Sequence, residues 1–205
     1  AHQACYHERL LTNDEVQTLC RSHEVGAHTM THPHLPSLSD EDAAKEIQKS
    51  KRWVEAVSHS PCTMFCYPFG DHNDRIRRMV SAEGFKGART VSPWQFEHRD
   101  SLALGTTLHL YPFPFRPIFN RRCLDPLRTA WPHIQSCRLP LAACRSWFPL
   151  AQAAFRYAKS NGMPWFHLWG HGWEIERYRM WSDLEAFLAY VQKHEVHCVP
   201  NSALL

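Results

Sequence analysis

The stretch "EVGAHTMTHPHL", residues 24–35, places three histidines within seven positions behind a short apolar segment. The β-branched Thr29 and Thr31 and the proline after them disfavour a helix, so we expect a tight loop that follows a strand. On such a loop, a spacing of four residues can bring the imidazoles of His28 and His32 to one ion. The chain holds 15 histidines in 205 residues, so two surface histidines beside a proline turn also explain the bare spacing.

Helices and strands are predicted to alternate around this stretch. Helix patterns cover residues 13–22, "SDEDAAKEIQKSKRWVEAVS" from Ser39 and "NDRIRRMVSAEGF", while strand patterns cover "EVGAH", "CTMFCYPFG" and "KGARTV". The helices carry capping residues and apolar faces of helical period. Alternation of this kind predicts parallel strands with helices packed outside them.

The second half of the chain is less regular. Residues 92–145 are rich in proline and aromatic residues and predict loops with short helical pieces and a strand at "TTLHLY". A helix over 146–160, a strand "PWFHLWGH", a helix from Ser182 to about His194 and a terminal strand "VHCVP" follow. The length is typical of one domain, so residues 1–205 are assigned to a single α/β domain.

Composition excludes several classes of protein. The 23 basic and 20 acidic residues give a net charge of +3 without long runs of either sign, which argues against a nucleic-acid partner. A transmembrane segment is not predicted, because an apolar stretch of about 18 residues is absent. The eight cysteines form no C-x-x-C pair and predict free thiols in a reducing, cytoplasmic compartment. A Cys123–Cys137 disulfide is the alternative, and the sequence predicts no oligomeric state.

Three polar clusters follow predicted strands: "AHTMTHPHL", "CYPFGDHND" and "WGHGWEIE". In a parallel sheet or barrel, the carboxyl ends of the strands meet at one edge, where ligands bind. Their shared position therefore predicts a functional site and favours a metal at the first cluster. Asp71, in the second cluster, is a candidate third ligand, although a role as a turn former or helix cap is the favoured explanation.

The segments "HEVGAHTMTHPHL", "YPFG" and "GHGWEIE" stand in the order and spacing of a known family. They resemble the polysaccharide deacetylases, the NodB-homology or carbohydrate esterase 4 family, from about residue 8 to the end. The resemblance implies an α/β fold, a deformed (β/α) barrel of the NodB-homology type. It also implies hydrolysis of acetyl groups from N- or O-acetylated sugars with a divalent metal, zinc foremost.

The resemblance assigns roles to individual residues. His28 and His32 match the metal ligands, and His171 matches the general acid that protonates the departing amine. Tyr67 takes the place whose backbone N–H helps to hold the oxyanion. Three residues are expected to contact the acetylated carbohydrate: Trp173, Pro68 and Phe69. For Trp173, an ordinary place in the core is the alternative.

Two departures from the family pattern bear on activity. The family opens with a Thr-Phe-Asp-Asp strand that supplies one metal-binding aspartate and the catalytic base, and this chain has no such motif. A complete barrel implies about fifty further residues before residue 1, so the barrel is expected to be incomplete at its N-terminus. Cys66 stands where many members have an arginine that orients the base.

These departures leave two alternatives to a working deacetylase. One is a catalytically inactive relative that binds glycans or a partner protein. The other is a fragment without a stable fold, whose exposed sheet edge would favour aggregation.

Overall fold

The computed structural model describes residues 10–97 and 100–205, which divide into two compact units. The first unit holds residues 10–91, 100–105 and 199–205, and the second holds 92–97 and 106–198. Both units are mixed α/β, as predicted. The assignment of the whole chain to one domain stays a prediction.

Three helices of the first unit lie where the sequence predicts them: α1 (Asn13–Cys20), α2 (Asp40–Ser58) and α3 (Asp74–Ala82). Each begins at a side chain that accepts a hydrogen bond from a backbone N–H of the first turn. These capping residues are Thr12, Ser39 and Asn73. Because such caps satisfy N–H groups that a helix cannot pair internally, the sequence locates helix starts well.

The strands of the first unit are short and parallel. Strand β1 (Met64–Cys66) pairs with β2 (Gly87–Arg89), and Cys66 lies opposite Arg89. Single parallel bridges extend this sheet from Ala27 to Phe65 and from Arg89 to Leu104. The predicted strand "EVGAH" is thus reduced to one bridge, while the parallel arrangement is confirmed.

The core of the first unit lies between the sheet and helices α2 and α3. Ile47 and Val54 of α2 and Ile76 and Val80 of α3 are buried and pack in one cluster with Phe65 of β1. The apolar positions recur every three or four residues along each helix, which places them on one face. This packing joins the sheet to α2 and α3 through one core.

The second unit contains β3 (Leu108–His109) and β4 (Leu168–Trp169), which pair in parallel. Its helices are α4 (Asp125–Ser136), α5 (Trp147–Ser160), α6 (Gly172–Arg177) and α7 (Trp181–Gln192). Its core contains the buried side chains of Leu150, Phe155 and Phe187. Helix α5 contributes most of the buried helical residues, which matches its nearly continuous apolar sequence.

Two predictions for the second half were wrong. Helix α4 is a full helix rather than short pieces, because its first-turn proline needs no N–H partner and the burial of Ala130 and Ile134 outweighs the interior Pro132. The predicted strand "VHCVP" is absent from residues 195–200, all of which are described. Val196 and Val199 are exposed, so the segment lacks the buried face that would hold a strand in place.

Free thiols are confirmed for the cysteines that the structure describes: Cys20, Cys62, Cys66, Cys123, Cys137, Cys144 and Cys198. The alternative Cys123–Cys137 disulfide is therefore excluded, while Cys5 lies outside the described residues. Across residues 10–97 and 100–205, the helices are too short or too polar to cross a membrane.

Candidate functional site

The loop after Ala27 brings the two predicted ligands of the first unit together. The ring centroids of His28 and His32 lie 4.7 Å apart in an edge-to-face arrangement, and both residues are exposed. Thr29 and His32 have φ angles of 62° and 55°, in the left-handed region that β-branched residues rarely enter. Such strained backbone persists only where surrounding contacts hold it, and it is frequent at functional loops.

Glu46 of α2 holds this loop. Its Oε2 accepts hydrogen bonds from the N–H groups of Met30 (2.8 Å) and Thr31 (2.9 Å), and its Oε1 accepts one from the Thr31 hydroxyl (2.9 Å). The backbone N–H of His32 also donates to the Thr29 hydroxyl (3.1 Å). Sequence analysis missed Glu46. Its place beside the buried Ile47, on the core side of an otherwise charged helix, is the signal that could have indicated it.

The ring of His28 is oriented by the end of β1. Its Nδ1 lies 2.7 Å from the carbonyl oxygen of Cys66, which can only accept a hydrogen bond, so Nδ1 carries the proton. In the neutral ring, the lone pair then lies on Nε2. Metal-binding histidines adopt this arrangement, in which the second nitrogen donates to a carbonyl or carboxylate. The donor chemistry of the pair therefore fits a divalent metal.

A third ligand for this pair is not found among the described residues. Within residues 10–97 and 100–205, His28 and His32 belong to no group of three closely spaced His, Cys, Asp or Glu donors. Asp71, the candidate third ligand, instead accepts a hydrogen bond from His34 Nδ1 at 3.0 Å. Since a catalytic zinc ion takes three protein ligands, the pair alone would not complete such a site.

The "YPFG" turn places an aromatic ring beside the pair. Phe69 contacts His32 edge to face at 4.5 Å and stacks on His34 at 4.1 Å. Phe69 and Gly70 have positive φ angles of 59° and 70°, which turn the chain sharply at this point. A side chain at position 70 would clash, because a Cβ on Gly70 would lie 2.6 Å from Val91 Cγ2. Pro68 is buried behind this turn. The exposed Phe69 therefore lies directly beside the pair, whereas Pro68 supports the turn.

Tyr67 is a buried residue of the strand ladder. Its N–H donates to the carbonyl of Arg89 (3.0 Å), and its hydroxyl donates to the carbonyl of Leu102 (3.0 Å). The N–H that the resemblance assigns to the oxyanion is therefore already engaged, because an amide N–H has one proton to donate. An oxyanion contact through it would require that bond to open, and this role of Tyr67 stays a prediction.

A buried cation lies next to Cys66. Arg89, its partner across the sheet, donates from Nε to Asn201 Oδ1 (2.7 Å) and from Nη1 to the Gly105 carbonyl. Burial lowers the pKa of Arg89 to about 10, so the guanidinium is charged at neutral pH. Burial raises the pKa of Cys66 to about 11, and the charge of Arg89 offsets only part of that. The positive charge of Arg89 therefore lies on the strand next to Cys66, the position at which many members of the resembled family have an arginine.

In the second unit, His171 is part of a hydrogen-bonded cluster. Its Nδ1 lies 2.6 Å from Glu174 Oε2, and the same oxygen lies 3.0 Å from His109 Nε2. His171 is the N-cap of α6 and Glu174 lies in its first turn, so a spacing of three residues places both on one face. The sequence did not predict α6, in which Glu174 is buried. His109 and Glu174 were missed, although the His-x-x-Glu spacing is visible in the sequence.

The Glu174 carboxylate is held in its ionised form. Burial by itself raises the pKa of Glu174, but the hydrogen bonds from His109 and His171 and their electrostatic interaction with the carboxylate outweigh it and lower the pKa to about 2. A charged carboxylate therefore orients both rings at neutral pH.

Aromatic neighbours fix the rings of this cluster. His109 stacks on Trp169 with centroids 4.1 Å apart and planes at 12°, and its carbonyl accepts a hydrogen bond from Trp147 Nε1 (2.8 Å). Trp173 lies 5.6 Å from the His171 ring and is half-buried. Trp173 is therefore neither wholly core nor wholly surface, and both of its predicted roles remain compatible with this position.

These features define an α/β protein with a histidine pair directly after the parallel bridge at Ala27. Residues 6–88 match the family model described as polysaccharide deacetylase. The chain is 32% identical over 80 residues to chitin deacetylase 1 of Saccharomyces cerevisiae, a match that covers 39% of this chain and 25% of that protein. It is 28% identical over 85 residues to peptidoglycan-N-acetylmuramic acid deacetylase PdaC of Bacillus subtilis, covering 42% of this chain and 17% of that protein.

A solved structure extends the similarity of fold beyond this segment. A Mycobacterium smegmatis protein assigned to the polysaccharide deacetylases superposes with a TM-score of 0.59 at 15% identity. The superposition covers 89% of this chain and 62% of that protein. The chain thus shares its α/β fold with that protein, while its matched segments span a quarter or less of the two curated relatives.

Proposed function

We propose that this chain carries part of the active site of a metal-dependent carbohydrate deacetylase, within a deformed (β/α) barrel. The observation that carries the proposal is the pair His28 and His32, on a loop fixed by Glu46, with His28 Nδ1 donating to the carbonyl of Cys66. The family match over residues 6–88 supports it, because the pair lies inside that segment.

His28 and His32 would hold the metal, with zinc as the first candidate, since imidazole also suits cobalt, nickel and iron. When bound, the metal would polarise the acetyl carbonyl and lower the pKa of a water molecule to about 7. The third ligand and a carboxylate base come from outside the described residues in this proposal. Phe69, exposed beside His32, would line the path of the sugar or the acetyl methyl group.

His171 would act as the general acid. Because its Nδ1 donates to Glu174, its Nε2 faces away from that carboxylate and can give a proton to the departing amine when the ring is protonated. Trp173 would supply an apolar surface beside that ring. The substrate class is an N- or O-acetylated polysaccharide, and the chitin and peptidoglycan named for the relatives are the first polymers to test.

The test is release of acetate from acetylated chitooligosaccharides and from peptidoglycan by the purified, zinc-supplemented protein. His28→Ala and His32→Ala should each abolish release, and a chelator should do the same to the unaltered protein. His34→Ala is the matched control, because His34 stacks on Phe69 without belonging to the pair. Release that survives both ligand substitutions would contradict the proposal.

The second candidate function is glycan binding without catalysis. It is favoured by the engaged N–H of Tyr67, which donates to the carbonyl of Arg89 and not to a substrate oxygen. It predicts that acetylated oligosaccharides bind and leave with every acetyl group intact, with or without zinc. Acetate release that depends on His28 would exclude it.

A further inference from the structure

The second unit contains a compact set of metal-binding atoms that the proposed reaction uses only in part. His109 Nε2, His171 Nδ1 and a carboxylate oxygen of Glu174 all lie within 4.8 Å of one another. Over residues 10–97 and 100–205, this is the one group of three such donors. The proposed reaction needs Glu174 only to orient His171, and it gives His109 no role.

We propose that His109, His171 and Glu174 form a binding site for a divalent transition-metal ion of the zinc type. Two imidazoles and one carboxylate are a recurring ligand set of zinc sites that keep one position open. Magnesium and calcium prefer sets made of oxygen atoms, so the two ring nitrogens select against them. The site uses none of the residues of the His28–His32 pair.

The spacing of the three atoms fits this chemistry. Zinc bonds of about 2.0–2.2 Å in a tetrahedral site place neighbouring ligand atoms about 3.3 Å apart. The oxygen of Glu174 now lies 3.0 Å from His109 Nε2 and 2.6 Å from His171 Nδ1, so an ion needs the atoms to separate by several tenths of an ångström. The His171 side chain is 46% exposed and can make this shift.

The other two ligands are held in place before an ion arrives. The His109 ring is stacked between Trp169 (4.1 Å) and Tyr111 (5.2 Å), and Glu174 is 7% exposed within α6. A buried, ionised carboxylate is stabilised by a cation, and here the imidazole N–H groups provide that stabilisation when no ion is bound. Preorganised ligands of this kind lose little conformational entropy on binding.

The exchange of protons for an ion is balanced. Each neutral ring that donates to Glu174 moves its proton to its other nitrogen through solvent, and the freed lone pair binds the ion. With the ion bound, the negative charge of the carboxylate and the two positive charges of the ion leave a net charge of +1. The exposed side next to His171 leaves the fourth coordination position open to water. If the proposed function holds, an ion here removes the orientation of His171 by Glu174, so excess metal would inhibit deacetylation.

Titration with Co²⁺ tests the site, because tetrahedral cobalt has a characteristic visible absorption. The full chain carrying His28→Ala and His32→Ala is used, so that the histidine pair does not contribute. We expect saturable binding of one ion, and a loss of at least about tenfold in affinity on adding Glu174→Gln or His171→Ala. Glu176→Gln is the matched control, because Glu176 lies on the same helix and is exposed. Its carboxylate accepts a hydrogen bond from Trp181 Nε1 and lies outside the proposed site. It should bind cobalt as tightly as the background variant.

Thermal melting of each variant shows whether it is folded. If Glu174→Gln unfolds, His171→Ala decides, since the exposure of His171 makes its substitution mild for the fold. The proposal is overturned if the background variant shows no saturable tetrahedral absorption, or if His171→Ala binds cobalt unchanged. The readout is binding and not turnover, so a failure of the proposed deacetylase function would leave this result unaffected.

Discussion

At the scale of residues, the two candidate clusters depend on carboxylates that lie on helices. Glu46 fixes the loop of His28 and His32, and Glu174 joins His109 to His171. The sequence indicates the histidines, because their spacing and the proline turn are local features. It indicates the carboxylates less well, because the partners of Glu46 lie 15 or more residues away and His109, one partner of Glu174, lies 65 residues away.

Substitution of Glu46 should loosen the histidine loop. Glu46→Gln removes the charge that accepts three hydrogen bonds, and we expect a loss of about 1–3 kcal/mol in the free energy of unfolding. The affinity for zinc should fall with it, because Thr29 and His32 keep their left-handed backbone only while the loop is held. Chemical denaturation and zinc titration measure the two effects.

Glu41→Gln is the control for this experiment, because Glu41 lies on the same helix and pairs only with the exposed Lys45. It should change the free energy of unfolding by less than about 0.5 kcal/mol. Equal losses from Glu46→Gln and Glu41→Gln would show that Glu46 does not hold the loop.

Cys66 should be an unreactive thiol. Burial raises its pKa to about 11, so the thiolate that reacts with iodoacetamide is scarce below that pH and increases as the pH rises through it. The exposed Cys198 provides the comparison within the same molecule. Mass spectrometry of tryptic peptides after alkylation at pH 8 should show Cys198 modified well before Cys66, and equal rates would contradict this account of Cys66.

At the scale of elements, helices were predicted better than strands. The caps Thr12, Ser39 and Asn73 are local signals, and they located α1, α2 and α3. The strands have only two or three residues each, and their extent depends on partners distant in sequence, as at "EVGAH". The short helix α6 was missed because its alternation of polar and apolar residues is equally typical of a strand.

Helix α4 allows a test of why it forms despite its prolines. Pro132 lies in the helix interior without an N–H to donate, while Pro126 lies in the first turn, where none is needed. We expect Pro132→Ala to raise the free energy of unfolding by about 1 kcal/mol or more. Pro126→Ala should leave it unchanged or slightly lower, and urea denaturation compares them. An equal response to both substitutions would show that Pro132 does not weaken α4.

At the scale of the whole molecule, the class of fold and the resemblance to the polysaccharide deacetylases follow from the sequence, because alternating elements and ordered motifs can be recognised in short segments. The sequence could not predict whether the barrel closes or which residues complete the ligand set, since both depend on contacts between distant segments. The resemblance gave His171 a role, but its carboxylate partner was identified only when the structure showed α6, which holds Glu174 beside His171.

The described chain should unfold cooperatively on heating. Each unit has its own buried apolar cluster, built around Phe65 in the first and Phe155 in the second, and removal of such clusters from water drives cooperative folding. Calorimetry or near-ultraviolet circular dichroism should show a sigmoidal transition. A gradual change without a transition would favour the hypothesis of an unstable fragment.

The central claim is that His28 and His32 bind a catalytic metal. The most direct measurement is acetate release from an acetylated chitooligosaccharide by the same protein preparation before chelation, after chelation and after zinc is restored. We predict release, loss and recovery for the unaltered chain and no release at any stage for His28→Ala. Release that persists after chelation, or equal release by His28→Ala, would contradict the claim.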